Sequence, residues 1–485
     1  MGTDLLLCNP YFIKDDPVTR RTMDIYPLIG HGYLASYLGA QGYAVDIYDG
    51  TFTNGVGDYI DKLSTSQPAV VGVYGHVLSR HNAFAFAHAA RERGMHVIAG
   101  GPDATAYCDE YLRNGFEVVV CGEGEETAHA VMEWIGRGAI VSELHDVQGI
   151  AFRTAAGDTV STDRRPYKKD IGTLPFPRRD REIYEPYLEA WRRTHGYTSV
   201  PIFASRGCPF DCHFCFRPVF GRHYRVREPE NVLAEIETCK SEFGATHFRF
   251  VDDIFVVRKK WVKRFSQLIQ ERGLHLDFDI LSRADLIDEN VAVDLKAMGV
   301  RRIYLGMESG SDDVLNMMNK HMKTEHSIKA AETIHRNGME FLAWILLGYP
   351  GESKKDIYLT RDMVTKIKPD VLSVSVAFPI KGTPFYDMVK DTLQQKRPIW
   401  RKTAENRLVF RGRYPNPFYF FARLWLHQEA DLAKGTVPVW RHPVHVALKW
   451  ALRAGMEVLS LRRPGSPDSG LKEHGRKTIA VMSGE

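Results

Sequence analysis

Ser205-Arg-Gly-Cys-Pro-Phe-Asp-Cys-His-Phe-Cys-Phe216 places Cys208, Cys212 and Cys215 in a C-x3-C-x2-C spacing. Three thiolates on one short loop can hold three irons of a cuboidal [4Fe–4S] cluster and leave the fourth iron open for another ligand. A structural zinc site needs a fourth ligand, usually from a second C-x2-C or C/H pair, and the sequence offers no such pair. A disulfide framework fails on parity and suits secreted chains. The spacing therefore predicts an iron–sulfur cluster.

A regular alternation of strand and helix patterns follows this loop for almost two hundred residues. Strands are predicted at 246–255, 278–283, 301–311, 342–352 and 371–384, and a helix at 231–243. Such alternation indicates a parallel βα barrel, in which functional groups collect at the carboxyl ends of the strands. The candidates at those ends are Asp252, Asp253, Arg283, Glu308 and the turn at 348–351.

The first 140 residues show a second alternation, of short apolar strands with helices. Strands are predicted at 5–8, 44–49, 70–74, 96–102 and 117–121, and helices at 30–41 and 81–93. This pattern favours a doubly wound parallel sheet, which binds ligands beyond the carboxyl ends of its strands. Two of these ends carry glycines, where the backbone passes close to another group: Gly100, Gly101, Gly122 and Gly124.

The cysteine triplet and the strands behind it resemble the radical S-adenosylmethionine (SAM) superfamily. The resemblance implies a [4Fe–4S] cluster whose open iron binds SAM and whose reduced form cleaves SAM to a 5′-deoxyadenosyl radical. It places Phe214 beside the adenine and makes Glu308 an acidic SAM contact. Asp253 and Arg283 are further candidates for cofactor binding, with a simple ion pair at the rim of the barrel as the alternative for each.

The N-terminal motifs resemble the cobalamin-binding domain that precedes many radical SAM domains. They lie at 27–38, 99–105 and 121–126, with a fourth motif at 174–180 in the linker. The resemblance implies that two loops enclose cobalamin through Gly100, Gly101, Pro102, Gly122, Glu123 and Gly124. The D-x-H-x-x-G motif that supplies a cobalt ligand in many cobalamin proteins is absent, as it often is ahead of radical SAM domains.

His76 follows the third predicted strand and is the candidate for a cobalt ligand, because imidazole is the commonest metal-binding side chain. The alternative, which the pattern favours, is a loop histidine that bonds to backbone or water. His31, His81 and His88 fit helix-surface or packing positions better.

These patterns predict an α/β chain of five parts. A doubly wound cobalamin-binding sheet at 1–140 is followed by a linker with a hairpin at 141–196. A partial (β/α)6 TIM-like radical SAM barrel occupies 197–390, a helical C-terminal cap 391–463 and a disordered tail 464–485. Helices are also predicted at 184–193 and 443–463.

The C-terminal hundred residues are rich in basic and aromatic side chains. The basic ones are Lys396, Arg397, Arg401, Lys402, Arg407, Arg411, Arg413 and Arg423. Three interpretations stay open: a cap that shapes the substrate pocket over the barrel, a packed helical appendage, or a contact with a membrane surface or lipid substrate.

Composition narrows the class of protein. The chain has 485 residues, 44% of them hydrophobic, and a formal net charge of +4, which is too small to indicate nucleic-acid binding. No signal peptide pattern opens the chain, and no apolar run reaches the ~18 residues of a membrane span. An oxygen-sensitive cluster and free thiols favour a reducing cytoplasm.

Together the two resemblances imply a cobalamin-dependent radical SAM enzyme that methylates an unactivated carbon. An oxidative cyclisation without methyl transfer, as in the anaerobic magnesium-protoporphyrin monomethyl ester cyclases, is the alternative, with other radical oxidations or rearrangements beside it. A non-catalytic corrinoid sensor is a third hypothesis, and the complete cysteine triplet argues against it. The expected partners are a small-molecule substrate (a lipid, a tetrapyrrole or a natural-product intermediate) and an electron donor such as flavodoxin or ferredoxin.

Overall fold

The computed structural model describes residues 2–394, 407–435, 440 and 442–461. The chain divides into two compact units, and it passes between them three times. The first unit holds Met1–Pro209 and Arg217–Asp253, and the second holds Phe210–Phe216 and Ile254–Glu485. The predicted cluster ligands are thus divided, since Cys208 belongs to the first unit and Cys212 and Cys215 to the second.

The first unit is built on a seven-stranded sheet in the order β2-β1-β3-β4-β5-β6-β7. Its strands are β1 (Leu5–Asn9), β2 (Val45–Asp49), β3 (Val70–Tyr74), β4 (His96–Gly100), β5 (Val118–Val120), β6 (Ile150–Arg153) and β7 (Thr159–Ser161). Strands β1 to β5 are parallel, and β6 and β7 add an antiparallel hairpin. The order reverses between β1 and β3, which is where such sheets bind ligands.

Helices cover both faces of this sheet, because the central strands are apolar throughout and must be buried on both sides. The helices of the first unit are α1 (Pro17–Thr22), α2 (Ile29–Ala40), α3 (Val56–Ser66), α4 (Arg80–Arg91), α5 (Pro102–Ala106), α6 (Cys108–Arg113), α7 (Glu125–Gly136), α8 (Arg181–His195) and α9 (Pro229–Phe243). One buried cluster centres on Phe86 and Tyr111 and the other on Leu38 and Trp134. The predicted doubly wound sheet is confirmed.

Six further parallel strands alternate with helices, as the predicted partial (β/α)6 barrel requires. In the first unit β8 (Ser199–Ile202) pairs with β11 (His247–Phe250), and the short β9 (Ser205–Arg206) and β10 (Arg225–Val226) form a ribbon. In the second unit β12 (Asp277–Ser282), β13 (Val300–Glu308), β14 (Glu340–Leu347) and β15 (Val371–Val376) pair in sequence.

The helices of the second unit are α10 (Lys259–Glu271), α11 (Glu289–Met298), α12 (Asp312–Met317), α13 (Thr324–Arg336), α14 (Lys354–Ile367), α15 (Pro384–Val389), α16 (Asn416–Lys434) and α17 (His442–Ser460). The helical character predicted after residue 391 is present in α16 and α17. The predicted tail at 464–485 and the basic residues Lys396, Arg397, Arg401 and Lys402 lie outside the described residues. None of the helices described is long and apolar enough to span a membrane.

Two predicted strands are longer than the observed ones, for identifiable reasons. The strand predicted at 246–255 ends at Phe250, because Asp252 turns its carboxylate back onto the amides of Ala204 and Ser205. The strand predicted at 301–311 ends at Glu308, whose φ of 64° leaves the extended conformation.

Candidate cofactor sites

The loop that carries Cys212 and Cys215 is anchored in the second unit by its backbone. The amide of His213 donates to the carbonyl of Met318 at 2.9 Å, and the His213 carbonyl accepts from the amide of Phe385 at 3.1 Å. Inside the loop the amide of Cys215 donates to the carbonyl of Cys212 at 3.1 Å. Both thiols therefore stand on a turn whose position is set by two neighbouring segments.

Arg283, which follows β12, is committed to this loop. Its Nη1 lies 3.7 Å from Sγ of Cys212, and its guanidinium stacks 3.8 Å from the ring centre of Phe210. Nε and Nη2 each donate to Asp285 at 3.0 Å, and Nη2 also donates to the carbonyl of Lys320 at 2.6 Å. A buried guanidinium held in this way places a fixed N–H donor beside the sulfur, where it stabilises negative charge.

Glu308 lies at the carboxyl end of β13 in a left-handed conformation, at a register shift in the ladder with β14. Its Oε1 accepts from Nζ of Lys320 at 2.8 Å. The ammonium also lies 5.6 Å from the ring centre of Phe214. A Cβ at Gly306 would stand 2.5 Å from Oε1 and 3.0 Å from Nζ, so a larger residue there would displace the ion pair from this position.

The charges around Lys320 keep it protonated. Burial alone would lower the pKa of the Lys320 ammonium, but the carboxylate of Glu308 and the thiolate of Cys212 raise it. The Lys320 ammonium therefore interacts with both Glu308 and Cys212, a predicted cluster ligand. This part of the second unit is arranged for negatively charged sulfur and for a polar ligand at the carboxylate.

The turn at 348–351 supports the same loop. Tyr349 is almost completely buried, and burial together with the nearby Cys212 raises the pKa of its phenol. The carboxyl of Glu352 accepts from the amide of Gly348 at 2.6 Å, and within the described chain its Oε1 has no hydrogen-bond partner. Burial raises the pKa of Glu352 to about 8, so this side chain is neutral at pH 7.

Cys208 stands in the first unit, in a segment held by its own backbone. Its amide donates to the carbonyl of Gly221 at 3.2 Å, and its carbonyl accepts from Nη1 of Arg217 at 2.8 Å. Gly207, just before it, has a φ of 83°. A Cβ there would lie 2.5 Å from the carbonyl oxygen of His223. Only glycine therefore fits the backbone conformation that precedes Cys208.

The two acids after β11 have different environments. Asp252 is buried and accepts from the amide of Ala204 at 3.2 Å and from the amide and hydroxyl of Ser205. Burial raises the pKa of Asp252 to about 7 against these hydrogen bonds. Asp253, the predicted cofactor contact, is exposed as a residue, but burial around its carboxyl raises its pKa, against the opposing effects of Arg217 and the amide of Gly207. Asp252 thus fixes the backbone before the cysteines, and a role for Asp253 toward SAM stays a prediction.

The environment of Cys212 fits a thiolate that binds an iron–sulfur cluster. Among the described residues no three His, Cys, Asp or Glu side chains converge on a point where one ion would bind. A cuboidal cluster places each thiolate on a different iron, so its ligands need not converge. All seven cysteines are free, and the donor at Cys212 suits a thiolate bound to iron.

The carboxyl ends of β3, β4 and β5 lead into five glycines, which we call the glycine edge: Gly75, Gly100, Gly101, Gly122 and Gly124. Gly101 has a φ of 99°, and a Cβ there would lie 2.7 Å from the ring of Tyr74. A Cβ at Gly100 or Gly122 would meet nothing closer than 3.8 Å. Bare backbone of this kind fits a large flat ligand such as a corrin. Pro102 begins α5 directly behind it.

His76 lies at this edge, and its Nδ1 accepts a long hydrogen bond of 3.4 Å from the amide of Leu78. Its ring stacks on Tyr74 with centres 6.1 Å apart, and Tyr74 meets His31 edge to face. A neutral imidazole whose Nδ1 accepts carries its proton on Nε2, which then has no lone pair for cobalt. The bond therefore favours the backbone-bonded interpretation of His76. Burial lowers the pKa of His31 to about 4.

Glu123 is engaged in an ion-pair network of the first unit. Its carboxylate accepts from Nη1 of Arg206 at 3.1 Å, from Nη1 of Arg225 at 2.7 Å and from the amide of Lys168 at 3.0 Å. Nη2 of Arg206 also donates to Glu125 at 2.6 Å. The side chain of Glu123 thus holds its loop in place, and its backbone is what remains for a ligand.

Sequence reasoning missed Lys320, Asp285 and Arg206. Lys320 lies in an unremarkable Met-Asn-Lys run, and its importance follows from a contact with Glu308, twelve residues earlier. Asp285 was visible in the run Ser-Arg-Ala-Asp after β12, two residues from the arginine that it orients. Arg206 directly precedes the cysteine segment and could have been noticed from that position alone.

Comparison with known families agrees with this geometry. Residues 202–364 match the Radical SAM superfamily, and residues 17–132 match the B12 binding domain. The chain therefore contains a radical SAM domain and a B12 binding domain. Its cofactors are a [4Fe–4S] cluster, SAM and cobalamin, and it is a cobalamin-dependent enzyme.

Two relatives, one described as a methyltransferase and one as a cyclase, are similar to most of this chain. An uncharacterized methyltransferase of Pyrococcus horikoshii is 27% identical over 386 residues, which cover 78% of this chain and 81% of that protein. The anaerobic magnesium-protoporphyrin IX monomethyl ester cyclase of Rubrivivax gelatinosus is 26% identical over 74% of this chain. The match spans 65% of the cyclase, just under two thirds of its length.

Two solved structures share the fold. The radical SAM methyltransferase TsrM of Kitasatospora setae superposes with a TM-score of 0.67 at 19% identity, covering 81% of this chain and 75% of TsrM. The cobalamin-dependent SAM radical enzyme OxsB gives 0.71 at 16% identity, covering 99% of this chain and 76% of OxsB. The predicted fold class is confirmed.

Proposed function

We propose that this protein is a C-methyltransferase that methylates an unactivated carbon of a small molecule. The observation that carries the proposal is that a radical SAM domain and a B12 binding domain stand in one chain. When bound, the cluster and SAM supply a 5′-deoxyadenosyl radical, and cobalamin supplies the methyl group. The relative from Pyrococcus horikoshii, described as a methyltransferase, supports this reaction.

The residues have the following proposed roles. Cys208, Cys212 and Cys215 hold the cluster. Arg283 donates to one of these sulfurs, and Lys320 holds Glu308 in place for the polar end of SAM. Phe214 and Asp253 are further SAM contacts. The loops at 100–102 and 122–124 enclose cobalamin, with His76 beside them.

The reaction class is tested by the products formed from SAM. The anaerobically reconstituted protein is incubated with cobalamin, SAM and a chemical reductant. Transfer of the SAM methyl group to reduced cobalamin leaves S-adenosylhomocysteine, whereas radical cleavage leaves 5′-deoxyadenosine and methionine. A methyltransferase of this kind forms both products. Formation of 5′-deoxyadenosine without S-adenosylhomocysteine would contradict methyl transfer.

An oxidative cyclisation is the second candidate, supported by the likeness to the Rubrivivax cyclase over 74% of this chain. It shares the cysteines and the glycine edge, so the cofactor sites do not separate the two reactions. The mass of the product does, because methylation adds one carbon and two hydrogens whereas cyclisation removes hydrogen.

The substrate class remains a proposal: a lipid, a tetrapyrrole or a natural-product intermediate. The likeness to the cyclase supports testing a tetrapyrrole first. The region at 391–463 is proposed to shape the substrate pocket as a cap. A flavodoxin or ferredoxin is the proposed electron donor, which replacement of the chemical reductant in the same assay would test.

A further inference from the structure

The two C-terminal helices expose a surface that is largely apolar. Twelve apolar residues of α16 and α17 are exposed, beside the partly exposed acidic side chains of Asp431 and Glu457. The apolar residues are Pro417, Phe420, Leu424, Pro443, Val444, Val446, Ala447, Leu448, Trp450, Ala451, Ala454 and Val458. Trp440 and Leu461, at the two ends of α17, are 72% and 81% exposed. We call these fourteen residues the apolar face.

Two charged residues of α17 form ion pairs with neighbouring helices. Glu457 pairs with Lys354 of α14 at 2.5 Å and accepts from the hydroxyl of Tyr358. Lys449 pairs with Glu429 of α16 at 3.3 Å. Helix α17 therefore packs through Leu452, Met456 and these ion pairs, and it still leaves a broad apolar surface exposed, unlike an ordinary surface helix.

An apolar surface of this extent marks a contact with something else. The charge of the surrounding segment narrows the choice of partner. Residues 407–463 contain ten Lys and Arg against three Asp and Glu, whereas the whole chain has a formal net charge of only +4. Segment 407–463 therefore carries an excess of basic over acidic residues. Two of its cations lie beside the apolar face, since Lys449 and Arg453 stand 5.8 Å and 5.3 Å from the ring centre of Trp450.

A second copy of the chain suits this surface poorly. A two-fold interface places the same patch of both subunits against itself, so each basic segment would face its own like charge. An anionic lipid surface supplies the opposite charge, and exposed Trp and Phe side chains are suited to the boundary between head groups and acyl chains.

We propose that the apolar face docks the protein on an anionic lipid bilayer, with α16 and α17 lying in the interface and not crossing it. The proposal is independent of the methyl-transfer reaction, because it concerns binding alone. It is tested without SAM and without enzyme turnover.

The experiment is flotation of the full-length protein with vesicles. One set contains phosphatidylcholine alone, and the other contains equal parts of phosphatidylcholine and phosphatidylglycerol. We expect binding to the mixed vesicles at ~0.1 M salt, and weaker binding at ~1 M salt, where the Debye length falls from about 10 Å to about 3 Å. Equal flotation on both vesicles, or on neither, overturns the proposal.

A pair of matched variants locates the contact. Val458→Glu changes a valine of the apolar face that is 58% exposed, and Val293→Glu changes a valine of α11 that is 52% exposed. Only Val458→Glu is expected to weaken vesicle binding, by about tenfold. Equal thermal unfolding of both variants and the wild type establishes that folding is unchanged; Trp450→Glu replaces Val458→Glu if it is not.

The mass in solution excludes the other occupant. Light scattering at the concentrations used for flotation is expected to give one chain for both the wild type and Val458→Glu. A wild-type mass of two chains that Val458→Glu reduces to one would assign the face to a second copy and overturn the lipid proposal.

Discussion

The cysteine loop of the second unit and the glycine edge of the first unit are built in opposite ways. Around Cys212 the side chains are charged, buried and bonded to one another, with Arg283 and Lys320 at the centre. Along the glycine edge side chains are missing, and Gly101 is shaped by what a Cβ would strike. A small, charged inorganic group is held by specific side chains, whereas a large flat ligand is accommodated by leaving backbone bare.

Removal of a cluster ligand should have the largest effect. Cys212→Ala is expected to lose the cluster, and with it all formation of 5′-deoxyadenosine, because two thiolates do not retain three irons. Iron content and 5′-deoxyadenosine measure the loss. Cys239→Ala, at a buried cysteine of α9, is the matched control and should retain both. Retention of SAM cleavage in Cys212→Ala would contradict the cluster assignment.

Adding a single methyl group at the glycine edge should lower both stability and cobalamin binding. Gly101→Ala combines a φ of 99° with a contact of 2.7 Å to Tyr74, so we expect it to lower the free energy of unfolding by about 1–3 kcal/mol and to weaken cobalamin binding. Chemical denaturation and cobalamin absorbance measure the two effects. A Cβ at Gly39 of α2 would meet nothing within 4 Å, and Gly39→Ala should cost nothing. Equal behaviour of the two variants would remove the special role of Gly101.

Glu352 gives the second unit a dependence on pH. Its pKa is about 8 in the folded chain against an ordinary 4.5, so between these values the folded state holds a proton that the unfolded state has released. Stability therefore falls as pH rises through this window, by up to about 1.4 kcal/mol per unit. Glu352→Gln lacks this titration and should be more stable than the wild type by roughly 1–3 kcal/mol at about pH 8.

Denaturation from about pH 5 to about pH 8 measures this slope. Glu332→Gln, at an exposed position of α13, is the control and should follow the wild type. Parallel curves for Glu352→Gln and the wild type would show that Glu352 is ionised in the folded chain throughout.

Arg283 should change the electron affinity of the cluster without removing it. Arg283→Gln takes away a positive charge 3.7 Å from Sγ of Cys212, so the more negative reduced state loses stabilisation. We expect a midpoint potential lower by roughly 60 mV, equivalent to about 1.4 kcal/mol in a one-electron couple. Redox titration monitored by electron paramagnetic resonance, without SAM, measures it. Arg264→Gln, at an exposed arginine of α10, should leave the potential unchanged, and an unchanged Arg283→Gln would assign the guanidinium elsewhere.

Residues whose type and spacing alone indicate a cofactor site could be predicted from the sequence. Three cysteines in eight residues and paired glycines after apolar strands are local signals, and the parallel sheets follow from apolar strands separated by helices. The ion pair of Lys320 with Glu308 could not be predicted, because it depends on the left-handed turn at Glu308 and on the space at Gly306.

The sequence also did not show which face of each C-terminal helix is buried. Periodicity identifies α17 as a helix with Trp450 and Leu452 among its apolar positions. It does not say which of them faces inward, and the structure buries Leu452 while leaving Trp450 55% exposed. That outcome depends on contacts with distant residues, such as those of Lys354 and Tyr358 with Glu457.

Lys320 contacts two parts of the site, the arginine beside Cys212 and the carboxylate of Glu308. Its carbonyl holds the arginine beside Cys212, and its ammonium holds Glu308. A ligand that displaces the ammonium from Glu308 therefore frees the side chain of the residue whose carbonyl holds Arg283. Linkage makes such coupling reciprocal: whatever factor ligand binding applies to the reduction equilibrium, reduction applies to ligand affinity. Ligand binding at Glu308 and reduction of the cluster would then be coupled through Lys320.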